Sequence, residues 1–79
     1  MQVRVKLYGT LGKGVTGYDH TSGLTVEVAD GTTITDLMAQ LGVPLKKIGM
    51  VSLDGRLARK TATLRPGMIV KVFHPIFGG

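Results

Sequence analysis

The chain has 79 residues, the size of one small domain, which leaves little room for a catalytic cleft beside a core. It contains no cysteine, which excludes a disulfide framework, a thiolate metal site and a thiol nucleophile. Ten Lys and Arg residues against five Asp and Glu give a formal net charge of +5, a surplus that can indicate nucleic acid, an anionic membrane or an acidic protein as partner. The basic residues are dispersed and only two Tyr and two Phe are available to stack on bases, so the composition does not favour nucleic-acid binding.

The start of the chain does not resemble a signal peptide, because Arg4 and Lys6 interrupt its apolar residues. No apolar run is long enough to span a membrane. Together with the lack of cysteine, these features predict a cytoplasmic protein with no membrane partner.

The first part of the chain predicts two strands joined by a long loop. Apolar and polar residues alternate over residues 3–7 and again over residues 24–28, which is the period of a strand with one buried face. Residues 9–23 are rich in Gly and Thr and predict a loop, either mobile or ordered against a partner. Two consecutive strands joined by one loop predict an antiparallel hairpin.

A helix is predicted after this hairpin, because apolar residues recur there at helical spacing. The four residues of this face are Ile34, Leu37, Met38 and Leu41. Thr33 and Asp36 have the spacing of a variant capping box, and Gly42 is placed to end the helix.

The rest of the chain predicts three more strands, over residues 48–53, at Leu57-Ala58 and over residues 68–73. Asp54-Gly55 and Pro66-Gly67 supply the turns between them. One helix cannot cover both faces of a sheet, so one sheet face is expected to be open.

The open face is expected to carry a mixture of apolar and cationic side chains. If the first and last strands are neighbours, its residues are Arg4, Lys6, Ile69, Lys71 and Phe73. Such a mixture predicts a docking surface for an acidic protein partner, with an ordinary solvated face as the alternative.

A glycine-rich motif in the long loop matches the pattern Gly-x-Gly-x-x-Gly over residues 12–17. A dinucleotide site needs a helix to begin at this motif, because the helix N-terminus receives the pyrophosphate. Here a loop and then a strand follow. Gly9 and Gly14 have the spacing of a phosphate-binding loop, but Val15 stands where that loop would need Lys. We therefore interpret the motif as part of the loop, not as a nucleotide site.

Histidines are the remaining candidates for metal binding or catalysis, and the chain has only His20 and His74. A zinc site needs three or four ligands with supporting groups, and no such cluster is visible. Ser22 and Ser52 have no evident base and acid beside them. The sequence therefore predicts no metal site, no catalytic residue and no enzymatic activity.

The chain ends in Gly78-Gly79, and residues 74–77 separate these glycines from the last predicted strand. An enzyme that attacks a terminal carboxylate must thread the tail through a narrow channel, where any Cβ would obstruct it. Glycine also reaches backbone angles that are closed to other residues. We therefore predict a domain over residues 1–73 and a flexible tail over residues 74–79, although a frayed end is the simpler alternative.

The segments 51–55, 64–67 and 70–79, in this order of elements, resemble the β-grasp, ubiquitin-like sulfur carriers. These include the small subunit of molybdopterin synthase and the sulfur carrier of thiamine synthesis. The tail Phe73-x-Pro75-Ile76-x-Gly78-Gly79 is similar to that of the molybdopterin carriers, whereas the short link between the helix and the third strand is more similar to the thiamine or generic carriers. The resemblance implies an α+β fold, with a mixed sheet of four to five strands and one main helix packed on one face.

Three features depart from the family pattern and leave the pathway open. Met68 stands where the family has Asp, and Phe77 stands where a small residue precedes the two glycines. The loop over residues 9–23 is longer than expected for a thiamine carrier.

The resemblance also implies a mechanism and partners. A ubiquitin-activating-type enzyme would use ATP to adenylate Gly79, and a persulfide sulfur would displace AMP to leave a thiocarboxylate for a downstream synthase subunit. The resemblance implies that four tail residues pass through the channel of the activating enzyme: Pro75, Ile76, Phe77 and Gly78. The chain itself is expected to bind no cofactor, since ATP is used by the partner.

Two alternative functions remain open. One is a protein modifier that is joined to lysines through the same activated Gly79. The other is a non-catalytic interaction or RNA-binding module in which the two glycines are incidental.

Overall fold

The computed structural model describes residues 1–75, and within this range one α-helix lies among five short strands. The elements are β1 (Gln2–Leu7), β2 (Leu24–Glu27), α1 (Ile34–Leu41), a 3-10 turn (Leu45–Lys47), β3 (Val51–Leu53), β4 (Arg56–Ala58) and β5 (Ile69–Val72). Over residues 1–75, neither helical segment combines the length and the apolar character that a membrane crossing requires.

The strands form one mixed sheet in the order β2-β1-β5-β3-β4. β1 pairs antiparallel with β2, as predicted, and parallel with β5. β3 pairs antiparallel with both β5 and β4. The first and last strands therefore lie side by side in the centre of the sheet, so that the C-terminal tail leaves from its middle.

The core lies between α1 and one face of this sheet. Ile34, Leu37 and Met38 on the helix are completely buried, in the same cluster as the alternate residues of β1 and β5. The strand residues of this cluster include Val3, Val5, Leu7, Val70 and Val72. The predicted α+β architecture, with one helix on one face of the sheet, is confirmed.

Both ends of α1 are capped as the sequence predicts. The hydroxyl of Thr33 accepts a hydrogen bond from the Asp36 N–H at 3.2 Å, and Oδ2 of Asp36 accepts one from the Thr33 N–H at 3.1 Å. This reciprocal pair satisfies two of the backbone donors that a helix leaves free at its start. Gly42 ends the helix in the left-handed conformation, with φ at 76°.

The third strand is shorter than predicted, because β3 begins at Val51 rather than at Ile48. The Ile48 N–H donates to the carbonyl oxygen of Leu45 at 3.1 Å and closes the 3-10 turn. That N–H is therefore not available to a strand partner, although the side chain of Ile48 is still buried in the core.

The long loop before β2 consists of turns that are held against the domain. Leu11 is buried in the core, and the ring of Tyr18 packs against the cluster. Oδ1 of Asp19 accepts hydrogen bonds from the N–H groups of Thr21 at 2.7 Å and Ser22 at 3.3 Å. Contacts within the domain therefore hold this loop, and a role in partner binding stays a prediction.

Candidate functional site

The candidate site is the place where the chain leaves β5 toward its C-terminus. Four of the predicted tail residues, Ile76, Phe77, Gly78 and Gly79, lie outside the described residues, so their roles stay predictions. His74 and Pro75 at the start of the predicted tail are described, and both lie against the domain. The contacts of these two residues define the geometry of the site.

Gly49 lies on the β3 side of residues 73–75, which we call the stem of the tail. Its N–H donates to the carbonyl oxygen of Phe73 at 2.7 Å, and the Phe73 N–H donates to the carbonyl oxygen of Met50 at 2.9 Å. A Cβ on Gly49 would stand 2.6 Å from the Cα of Pro75 and would also overlap the carbonyl group of His74. Any side chain at this position would therefore push the stem away from the sheet.

The turn that follows β1 holds the stem on the opposite side. The Thr10 N–H donates to Nε2 of His74 at 2.8 Å, and the Thr10 hydroxyl oxygen lies 3.2 Å from the same nitrogen. A backbone N–H can only donate, so Nε2 of His74 is the acceptor in this contact. Gly9 adopts φ of +63°, and a Cβ there would overlap the imidazole ring.

An aromatic pair lies beside the stem on the sheet. The rings of Tyr8 and Phe73 are stacked, with centroids 4.6 Å apart and planes within 9° of parallel. The Tyr8 N–H donates to the carbonyl oxygen of Val72 at 3.0 Å, which continues the pairing of β1 with β5. Tyr8 is 39% exposed, so the pair offers a partly accessible apolar surface next to the tail.

The register of β1 and β5 places the predicted partner-binding residues on the face opposite the core. Arg4 lies beside Ile69, and Lys6 lies beside Lys71. Within residues 1–75 neither of these lysines forms an ion pair. Two like charges side by side leave this face positive, which favours an acidic partner. Its role in binding stays a prediction.

The open face continues across β3 and β4 to an apolar hollow. Ser52 lies between Lys71 and Leu57 in the register, so Leu57 shares this face. Met50 is 47% exposed and Leu57 is 72% exposed, and both line a hollow of about 550 Å³. Leu57 was predicted to lie in a short strand, but its place on the open face was not predicted.

The histidines and the glycine-rich motif show no catalytic or metal-binding arrangement. His20 lies edge-on to Tyr18, with ring centroids 5.3 Å apart, whereas His74 is bound to Thr10. In the part of the chain that the structure describes, no group of three or more potential ligands could hold a metal ion. Residues 12–17 form turns, and no helix begins at this motif.

Sequence reasoning missed Gly49, Gly9, Thr10 and Tyr8 as residues that surround the stem. One signal was available, because an isolated glycine inside an apolar strand pattern indicates a close backbone approach, and Gly49 interrupts residues 48–53 in this way. The contacts of Thr10 and Tyr8 had no such signal, since each depends on a residue more than sixty positions away.

Comparison with known proteins gives a family match and a set of similar folds. The model of the ThiS family matches residues 14–79, which include the tail. No curated protein matches the chain.

Two solved structures of small archaeal modifier protein 1 (SAMP1) from Haloferax volcanii are similar to this chain. One has 19% identity and a TM-score of 0.68, with 100% of both chains covered. The other has 18% identity and a TM-score of 0.70, with 95% of this chain and 98% of that one covered.

A third solved structure is a Pyrococcus furiosus protein assigned as molybdopterin converting factor, subunit 1. It has 16% identity and a TM-score of 0.71, with 96% of this chain and 99% of that chain covered. At these identities the three likenesses show the fold alone, and they confirm the predicted ubiquitin-like β-grasp.

Proposed function

Because the chain belongs to the ThiS family, we propose that it is a sulfur carrier that a separate enzyme loads at the carboxylate of Gly79. The observation that carries this proposal is the family match, which runs through the whole tail to residue 79. The chain is a small carrier protein and not an enzyme, so the chemistry belongs to its partners.

The proposed loading has three chemical steps. The Gly79 carboxylate attacks the α-phosphorus of ATP on the partner, which releases pyrophosphate and forms an acyl-adenylate. The terminal sulfur of a donor persulfide then attacks the acyl carbon and displaces AMP, which leaves an acyl disulfide. A second thiol then attacks the donor's sulfur in that disulfide, forms a new disulfide with the donor and releases the thiocarboxylate. Adenylation is needed because a free carboxylate has no good leaving group, whereas AMP is one.

Two kinds of partner follow from this reaction. One is a ubiquitin-activating-type enzyme, which binds the ATP, and the other is a downstream synthase subunit that accepts the sulfur. The proposed contact surface is the open face, where Lys6 and Lys71 lie side by side and Ile69 is 40% exposed. This chain would bind no cofactor of its own.

A molybdopterin-type or tungstopterin-type pathway is favoured over thiamine synthesis. Phe73, Pro75 and Ile76 follow the tail pattern of the molybdopterin carriers.

Intact-mass spectrometry tests the proposed function. The chain is incubated with ATP, a ubiquitin-activating-type enzyme and a persulfide donor. We expect the mass of the chain to increase by the difference between a sulfur and an oxygen atom. Deletion of Gly79 should abolish the gain. Gly14→Ala is the matched control, because a Cβ there meets nothing within 4 Å. A gain that survives the deletion would contradict loading at Gly79.

The second candidate function is a protein modifier that is joined to lysines through the same activated carboxylate. The likeness to the two structures of small archaeal modifier protein 1 favours keeping this candidate. Lysine-linked adducts that require Gly79 in a cell lysate would support it. For the third candidate, a plain interaction or RNA-binding module, partner binding would be unchanged after removal of the tail.

A further inference from the structure

We propose that Gly9, Thr10, Gly49 and His74 form a collar that fixes the exit of the tail, with His74 as a positioning residue for activation of Gly79. This inference rests on the proposed function, since the collar acts on the segment that the activating enzyme must thread. It assigns a role to residues that the chemistry itself does not use.

The collar holds the stem from two sides. On one side the Gly49 N–H donates to Phe73, and the bare Cα of Gly49 leaves room for the backbone of Pro75. On the other side the Thr10 N–H donates to the imidazole of His74. Gly49 contacts Phe73 and Pro75 from one side, and Thr10 contacts His74 from the other. The two contacts together fix the direction of the stem, which neither would do alone.

The two sides differ in what they require of the sequence. Gly49 has no positive φ, so its restriction is purely steric: the backbone of the stem occupies the place of a side chain. His74 is restricted by chemistry, because only a side chain with an acceptor at the position of Nε2 can bind the Thr10 N–H. A substitution can therefore remove one restriction without touching the other.

The collar sets the reach of the reactive carboxylate. Beyond Pro75 the chain has four residues, and at roughly 3.3–3.6 Å for each extended residue they span about 14 Å. If the stem came free from Val72 onward, three more residues would add about 10 Å of reach. A free stem would also have to lose more conformational entropy when it enters the channel of the enzyme.

The conformational entropy that a free stem loses on binding determines how opening the collar should change KM and kcat. Ordering one extra residue weakens binding of the tail by roughly 5- to 30-fold, and the loss falls on the ground state and the transition state alike. We therefore expect a higher KM with an unchanged kcat when the collar is opened. Because the chain is the varied substrate, partial unfolding of the domain would also raise the apparent KM. The folded fraction of each variant is therefore measured from its nuclear magnetic resonance spectrum, and KM is expressed per folded chain.

A matched pair of substitutions at His74 tests the acceptor. Oε1 of glutamine lies as many bonds from Cβ as Nε2 of histidine does, so His74→Gln keeps an acceptor within reach of Thr10. The amide of asparagine is one bond shorter, so His74→Asn loses the contact. We expect KM to be near that of the unchanged chain for His74→Gln and about 10-fold higher for His74→Asn.

The measurement has two arms on the full chain. Nuclear magnetic resonance at neutral pH detects the contact between the His74 ring and Gly9, together with the order of the backbone over residues 73–75. Adenylation is then followed by ATP–pyrophosphate exchange with the activating enzyme that loads the chain. Gly49→Ala serves as a second variant that should displace the stem and raise KM while His74 is unchanged.

The outcomes separate the collar from the proposed function. Loss of stem order and a raised KM in His74→Asn and Gly49→Ala, with His74→Gln near the unchanged chain, would support the collar. Equal KM values for all variants, or no His74–Gly9 contact in the unchanged chain, would overturn the collar alone. Failure of the unchanged chain to support exchange would overturn the proposed function and, with it, the role of the collar.

Discussion

The hydroxyl of Tyr18 forms two hydrogen bonds with the backbone of Leu7, accepting from its N–H at 2.6 Å and donating to its carbonyl oxygen at 3.0 Å. β2 pairs with β1 only as far as Val5, where Leu24 begins the strand. Tyr18 therefore takes the place of a strand partner at the end of β1. Since Leu7 also lies beside Val72, this contact connects the long loop to the strands from which the tail leaves.

Removal of the Tyr18 hydroxyl should destabilise the domain. In Tyr18→Phe, two partly buried backbone groups of Leu7 lose their partner, and we expect a loss of about 1–3 kcal/mol in the free energy of unfolding. Urea denaturation measures this loss. Tyr8→Phe is the matched control, because the contact of Tyr8 with Phe73 is made through its ring. Equal stability of the two variants would contradict the role of the Tyr18 hydroxyl.

The turn at Asp19 should be sensitive to acid. Hydrogen bonds from the N–H groups of Thr21 and Ser22 stabilise the carboxylate and hold the pKa of Asp19 below its ordinary value of 3.8. A lowered pKa in the folded state means that the stabilisation is complete above pH 3.8 and is lost as the pH falls through the folded value. Hydrogen exchange of the Thr21 and Ser22 amides, followed against pH, measures this loss.

Two variants of Asp19 separate the charge from the hydrogen bonds. Asp19→Asn keeps an oxygen acceptor that does not titrate, so amide protection should no longer change in this pH range. Asp19→Ala removes the acceptor and should leave both amides unprotected at every pH. Acid-sensitive protection that persists in Asp19→Asn would show that another group controls the turn.

Loss of the helix cap should reduce stability by a smaller amount. Thr33→Ala removes the acceptor of the Asp36 N–H at the start of α1, and we expect a cost of about 1 kcal/mol. Thr33→Ser keeps the hydroxyl and should cost much less. Thermal unfolding of the two variants checks the difference, and a similar cost for both would indicate that the methyl group, not the cap, is responsible.

Charge reversal on the open face should weaken association with the activating enzyme. Lys71 lies beside Lys6 and across from Ser52, and Lys71→Glu replaces a positive charge by a negative one at the centre of this face. We expect the association rate at low salt to fall roughly 3- to 10-fold, with a smaller effect at high salt. Stopped-flow fluorescence measures this rate.

The control for Lys71→Glu is Lys46→Glu. It makes the same change of net charge in the 3-10 turn, outside the sheet. If both variants slow association equally, the effect comes from net charge alone and the open face is not the contact surface.

Much of the fold could be predicted because it depends on local patterns. The spacing of Ile34, Leu37 and Met38 predicted the buried side of α1, and all three are buried. Thr33 and Asp36 predicted the cap for the same reason, since both partners lie within one helical turn. The predicted start of β3 at residue 48 was wrong, because the 3-10 turn at Leu45–Lys47 has no comparable pattern in the sequence.

What the sequence by itself determined is the set of elements and the side of each that is buried, because periodicity and caps act between residues a few positions apart. Only the tertiary structure decided how the tail stem is held, since Thr10 meets His74 and Gly49 meets Pro75 across long separations along the chain. Such contacts arise when β5 pairs with β1 on one side and with β3 on the other. No local pattern encodes that pairing, because it depends on which strands bury their apolar faces together.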